Sequence, residues 1–139
     1  MRKLSDVVVS QKPLTVRSAE TVQAAAFQMA THRAGSVVVL NDLGQLAGIF
    51  TGRDAIKRVL AKGLNAEKTP VSAVMTTPVT TIGPEKTAID ALRIMWAGDF
   101  RHLPVVRDGK VLGIVTRGDF SGIEQDRFDD ERELWEHLR

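Results

Sequence analysis

The chain has 139 residues, 43% of them hydrophobic, enough for one ordinary domain or two very small ones with a buried core. It has no cysteine, which excludes a disulfide framework and a thiolate metal site and is compatible with a reducing cytoplasm. The net charge of +2 is uneven: seven acidic and three basic residues from Glu124 to Arg139 leave a mildly basic body, which suits an anionic ligand. No Lys/Arg cluster or aromatic RNA-binding motif accompanies it, so nucleic acid is not an expected partner.

The N-terminus turns polar too soon for a signal peptide, and apolar runs such as Val37 to Leu40 are far short of a membrane span. A soluble, cytoplasmic protein is expected. The run "LTV" ending at Val16 reads as a short extended piece. Val22, Ala25, Ala26 and Met29 then recur at helical spacing. "SVVVL" and "LAGIF" read as strands joined at "NDLGQ", a hairpin turn whose Asn, Asp and Gly tolerate left-handed backbone angles. A second helix is predicted over "DAIKRVLAKG" from Asp54, and "LNAEKTP" as a link. After Pro70, "VSAVM" is a short helical start. "TTI" ending at Ile82 is extended, and Ala88, Ala91, Leu92 and Met95 mark a helix. "LPVV" and "VLGIV" are strands around the turn "RDGK". In the acidic tail a helix with an apolar stripe of Phe128, Leu134, Trp135 and Leu138 is predicted. Glu131 and Glu133 are expected to point elsewhere, and Arg139 to complement the helix dipole. Such a helix is marginal alone and should dock on its own assembly.

These elements are one unit written twice. Thr15-Val16 aligns with Thr81-Ile82, Thr21 with Thr87, Met29 with Met95 and Val39-Leu40 with Val105-Val106. Leu43 has no counterpart, after which Gly48 meets Gly113, Thr51 meets Thr116 and Asp54 meets Asp119. The predicted fold class is α+β: two β-α-β-β-α repeats packed through their sheets with pseudo-twofold symmetry. The expected organisation is repeat 1 over 1–64, a linker over 65–70, repeat 2 over 71–123 and an acidic C-terminal helix over 124–139.

The repeated Thr-x-x-Asp, Thr51 to Asp54 and Thr116 to Asp119, has two compatible readings. As a capping box, Thr accepts a backbone N–H and the acid reaches back. As a ligand site, a helix start at a strand end offers free N–H groups to phosphate, and the carboxylate accepts ribose hydroxyls. Gly48 and Gly113 either admit a flat base or permit close strand packing. His32, His102 and His137 lack metal-ligand spacing, so no metal is expected. There is neither a nucleophile elbow nor a phosphate loop. Asp54 and Asp119 belong to equivalent positions of two repeats rather than to one acid/base pair, so the chain is not expected to be an enzyme.

Paired β-α-β-β-α units carrying "G-I-x-T-x-x-D" twice, a "HLPVV" strand and the entry phrase "SAVMTTPVTTI" resemble the tandem CBS-domain module, also called a Bateman module. The resemblance covers about residues 4–122. It implies a regulatory, ligand-sensing module that binds an adenine nucleotide or related adenosyl compound in clefts between repeats, requires no cofactor, and forms a homodimer read by a regulated protein partner. The alternative is a structural or interaction module with degenerate sites. On this resemblance Thr15, Val16, Thr81 and Ile82 would contact the base. Gly48 and Gly113 would line it, and Thr51, Asp54, Thr116 and Asp119 would hold ribose and phosphate. Arg101 and His102 would reach phosphates held by Thr51 and Asp54, making that site the stronger, with His102 adding charge below about pH 6.5.

Overall fold

After a first short helix, α1 (Leu4–Val7), Thr21 ends an extended approach, and its Oγ1 accepts from the Ala24 N–H at 3.1 Å, satisfying one free donor at the start of α2 (Val22–Thr31). Val22, Ala25 and Met29 return to one face of α2 and are buried against Val16, Val37, Val39 and Phe50. Those residues come from a three-stranded sheet. In it β1 (Thr15–Arg17) runs parallel to β2 (Ser36–Leu40), and β2 runs antiparallel to β3 (Leu46–Thr51). The β2–β3 turn is held by Asn41, whose Oδ1 accepts from the Leu43 and Gln45 N–H groups, with Gly44 at φ 76°. The computed structural model describes residues 2–120 and 122–137, with Ile123 described by its backbone alone.

The second copy repeats this plan with one strand reduced. α4 (Ala88–Gly98) starts at a full capping box of Thr87 and Asp90, and buries Ala91, Leu92 and Met95 against β4 (His102–Arg107) and β5 (Lys110–Thr116). The "TTI" piece contributes only an Ile82–Val105 bridge to this two-stranded sheet. Two prolines account for the difference. In the first copy the Ser18 N–H donates to Leu40 O and the Val38 N–H to Leu14 O, both at 2.9 Å. The aligned residues are Pro84 and Pro104, which have no N–H to give. Only the central pair survives: Ile82 N–H to Pro104 O at 3.0 Å and Val106 N–H to Ile82 O at 2.9 Å.

The helix predicted over "DAIKRVLAKG" opens as α3 (Gly52–Asp54) and continues as a π-helical run, Ala55–Leu60. Five residues are about 1.4 turns of an α-helix, so Asp54 and Val59 would point apart on one. Widening to five-residue hydrogen bonds, such as Ala61 N–H to Ile56 O at 2.9 Å, turns both inward, and both are buried.

The chain divides into two units, Lys12–Val79, and the segment through Gln11 together with the chain from Thr80 onward. Each is completed by a segment of the same design. In the first unit the Val22 N–H donates to Thr69 O, Val71 N–H to Glu20 O and Ser72 N–H to Ser18 O. In the second the aligned bonds are Ala88 N–H to Arg2 O, Leu4 N–H to Lys86 O and Ser5 N–H to Pro84 O. Residues 65–70, expected as a link, thus lie against the start of α2. Val71 and Val74 enter the first core, while Leu4 and Val8 enter the second.

The two sheet glycines belong to this arrangement. A Cβ on Gly48 would run into the Met75 side chain and come within 3.0 Å of Thr76 O; one on Gly113 would lie 2.7 Å from Val8 Cβ. In both hairpins the register shifts beside this glycine, between Val39 and Leu40 and between Val105 and Val106. Close packing is therefore sufficient to explain both glycines.

The tail forms α5 (Gly122–His137) and docks on α4 of its own unit. Phe128 is buried in the second core, edge-on to Trp96 at 6.4 Å between centroids, and the Arg132 guanidinium lies 5.7 Å from the Trp96 ring. Two expectations are corrected. Leu134 and Trp135 are 60% and 67% exposed, because the seam with α4 runs through Phe128 and Arg132 instead. Glu131 does not point away: it forms a two-bonded ion pair with Arg93, which also bonds Asp90. That pairing holds the Glu131 carboxyl below its ordinary range and raises Arg93. Leu138 and Arg139 lie outside the described residues.

Phe128→Ala should cost roughly 3–5 kcal/mol in urea unfolding, whereas Leu134→Ala and Trp135→Ala should each cost less than about 1 kcal/mol. Gly113→Ala should cost about 1–3 kcal/mol and exceed Gly48→Ala, because Val8 meets the new methyl with its branched stem and Met75 with a flexible thioether. Equal costs, or none, would contradict the packing described.

Candidate functional site

Each hairpin ends in the same corner. Thr51 and Thr116 leave their strands with φ −118°, ψ 166° and φ −122°, ψ 166°, and the carboxylate three residues on turns back to the threonine N–H. Asp54 Oδ2 accepts from the Thr51 N–H at 3.0 Å, and Asp119 Oδ2 from the Thr116 N–H at 2.7 Å. The capping role is thus realised twice. What surrounds the two carboxylates differs.

Asp54 is 7% exposed. Its Oδ2 also accepts from Thr51 Oγ1 at 3.2 Å. Thr76 Oγ1 lies 3.0 Å from Oδ1 and 3.2 Å from Oδ2, and Arg58 Nε lies 3.5 Å from Oδ1. Arg58 is itself held by a bond from Nη1 to Met75 O at 3.1 Å. Thr76 is placed by a two-bonded backbone bridge to Ile49, 2.8 and 3.0 Å. A buried carboxylate needs such donors, and here they engage both oxygens.

Asp119 is exposed. Arg2 reaches its main-chain oxygen at 3.2 Å and also bonds Glu124 of α5 at 2.8 Å, tying this corner to the tail helix. His102 is the strand partner of Thr116. Its Nδ1 is buried with no hydrogen-bond partner among the described residues. Burial lowers the His102 pKa below its ordinary 6.5, the Arg101 charge lowers it further, and Asp119 opposes both. His102 therefore gains its charge at lower pH than the ordinary value expected from the sequence, because its imidazolium is poorly solvated beside another cation.

The remaining candidates divide between surface and core. Thr15 and Thr81 are exposed, whereas Val16 and Ile82 point into their own cores, with both main-chain groups of Ile82 bonded to β4. Arg101 is exposed. Arg117 Nη2 donates to Met95 O at 3.4 Å, near the end of α4, where a cation suits the helix dipole. Among the described residues no group of three His, Asp or Glu is placed to hold a metal ion, and no helix is long and apolar enough to cross a membrane. Sequence reasoning missed Thr76, Arg58 and Arg2. Only Arg58 left a signal, its position four residues after Asp54; Thr76 and Arg2 arrive from other parts of the chain.

A histidine whose folded pKa is depressed contributes stability that is fully present above the unfolded value and is lost as pH falls through the folded one. Urea unfolding should therefore show stability declining as pH drops below about 6.5, and His102→Gln should flatten this part of the profile. An NMR titration placing His102 above 6.5 would contradict the assignment.

Comparison with known proteins agrees with this architecture. The CBS domain model matches residues 4–61 and 71–123. The chain is 39% identical over 104 residues to the CBS domain-containing protein CBSCBSPB1 of Arabidopsis thaliana, a match covering 75% of this chain but only 19% of that relative's length. It is 35% identical over 121 residues to the CBS domain-containing protein YhcV of Bacillus subtilis, covering 87% of this chain and 84% of that one. In structure it is similar to the CBS domain protein PAE2072 of Pyrobaculum aerophilum, complexed with AMP, with a TM-score of 0.82 at 20% identity over 93% and 99% of the two chains. With both repeats matched and each hairpin ending in the same Thr-x-x-Asp corner, the chain belongs to the CBS-domain family, as a tandem pair of α+β repeats.

Proposed function

We propose that this chain is a regulatory module that senses an adenine nucleotide or related adenosyl compound through the corner of Thr116 and Asp119. The observation that carries this is the exposed Asp119 carboxylate, anchored by the Thr116 N–H and standing beside His102 with its unpartnered buried Nδ1. An anchored, exposed carboxylate is a pre-oriented acceptor for the two hydroxyls of a ribose, and bonds to a charged acceptor are the stronger kind. Thr81, exposed ahead of the Ile82 bridge, is the polar group available for a base or sugar edge. Arg101, exposed at the bend just before β4, is a cation for phosphate. The AMP bound by the Pyrobaculum aerophilum protein supports the ligand class.

The signal in this reading is conformational. Arg2 holds both the Asp119 main chain and Glu124, so a ligand that shifts the corner acts on α5, and a protein partner would read that shift. A homodimer in a cytoplasmic setting completes the proposal. Ile56 and Leu60 are 61% and 73% exposed on the π-helical run, and pairing with a second copy would remove that apolar surface from water.

A thermal-shift panel of AMP, ADP, ATP and adenosine should raise the melting temperature for at least one nucleotide. Asp119→Ala should weaken that binding by about 1.5–3 kcal/mol in calorimetry, roughly ten- to hundred-fold. No shift with any nucleotide at millimolar concentration would overturn the proposal. Light scattering that found only monomer at high concentration would remove its dimer.

A further inference from the structure

We propose that the two Thr-x-x-Asp corners have parted in role: Thr76 and Arg58 close the Asp54 corner into a structural latch, leaving Asp119 as the single ribose-binding carboxylate of the chain. For its ligand this rests on the nucleotide reading above; the latch stands on its own geometry.

The two corners share their local sequence and their strand-end conformation, so the difference lies in what reaches them. Asp54 Oδ1 and Oδ2 both face Thr76 Oγ1, Oδ2 also serves the cap, and Arg58 Nε stands 3.5 Å from Oδ1. A ribose diol would need both oxygens, and would have to break bonds from a carboxylate that is 7% exposed. Replacing satisfied buried bonds by equivalent ones gains little, while ordering the ligand still costs free energy.

In sequence the second copy has neither locking residue. Aligning the entry phrases so that Leu4 meets Val71 and Val8 meets Met75 sets Val9 opposite Thr76, and in sequence Ile123 aligns with Arg58. Neither valine nor isoleucine has a donor to offer Asp119. The backbone differs to match. In the first unit Thr76 O accepts from the Ile49 N–H at 3.0 Å, which brings the threonine hydroxyl to the aspartate. In the second, the aligned Ile114 N–H is taken at 2.9 Å by the side-chain Oε1 of Gln11, and Val9 is 81% exposed. The segment therefore leaves β5 before it can cover Asp119. This inference reverses the order expected from the sequence, in which the Thr51 and Asp54 site was the stronger.

The test pairs thermal unfolding with calorimetry of the full chain, using AMP and ATP as probes. Thr76→Val and Asp54→Asn should each lower the melting temperature by roughly 4–8 °C, while Asp119→Asn should leave it within about 2 °C. Wild type should bind one nucleotide per chain. Asp119→Asn should weaken that binding roughly ten- to hundred-fold and Thr76→Val should preserve it. The double variant Thr76→Val, Arg58→Ile, which gives the first corner the residues of the second, should raise the stoichiometry to two. Two nucleotides per chain in wild type, or binding lost on Thr76→Val in a folded protein and kept on Asp119→Asn, would overturn the assignment. If no nucleotide binds at all, the function proposed above fails, and the latch is judged by melting alone: equal losses for Asp54→Asn and Asp119→Asn would sink it. Should Asp54→Asn fail to fold, Thr76→Val, which keeps the charge and the cap, carries the comparison.

Discussion

Both halves of this protein depend on one reciprocal interaction, the exchange of hydrogen bonds between a strand-end threonine and the aspartate three residues later. It lets β3 and β5 stop and the chain turn without leaving the first helical donors bare. It also determines where a carboxylate stands at the end of each hairpin. A residue that must cap is already oriented and partly desolvated, and therefore is prepared either to accept a ligand or to be locked in place. Capping and binding are not rival descriptions of such a residue. The surroundings decide which follows.

Those surroundings are supplied by segments distant in sequence. The Met75–Thr76 stretch covers Gly48 and reaches Asp54; Val8 covers Gly113 and then turns away, with the Gln11 side chain taking the vacant strand donor. The missing Cβ at each glycine is what lets these segments lie so close. The Ile49–Thr76 backbone bridge and the Gln11 substitute are two solutions to one requirement, that the strand N–H beside the glycine be paired. The first solution brings a hydroxyl to the carboxylate and the second does not. The route of the entry segment thus separates an enclosed carboxylate from an exposed one.

The repeat was legible because its cues are local. The helical spacing of Ala25 and Met29 or Ala91 and Met95, the Asp-Gly turn at Asp108 and both Thr-x-x-Asp corners depend on neighbours within a few residues. Pro84 and Pro104 were equally visible, and their missing N–H groups account for the strand that shrinks to one bridge at Ile82. The seam of α5 was half legible. Phe128 lay on the predicted stripe, but the Arg93–Glu131 pair joins residues 38 positions apart on two different helices and left no local trace.

The sequence by itself determined the two-copy design, the element order, the corner residues and the family, because hydrophobic period, turn chemistry and capping are short-range physics. Only the tertiary structure decided which unit each entry segment completes, and so which aspartate is enclosed. Hydrogen bonds such as Thr76 to Asp54 and Arg2 to Asp119 join residues 22 and 117 positions apart. The bonds themselves are as ordinary as any in a cap. What places their partners side by side is the burial of Val71 and Val74 in one core and Leu4 and Val8 in the other, a packing outcome that no window of neighbouring residues contains.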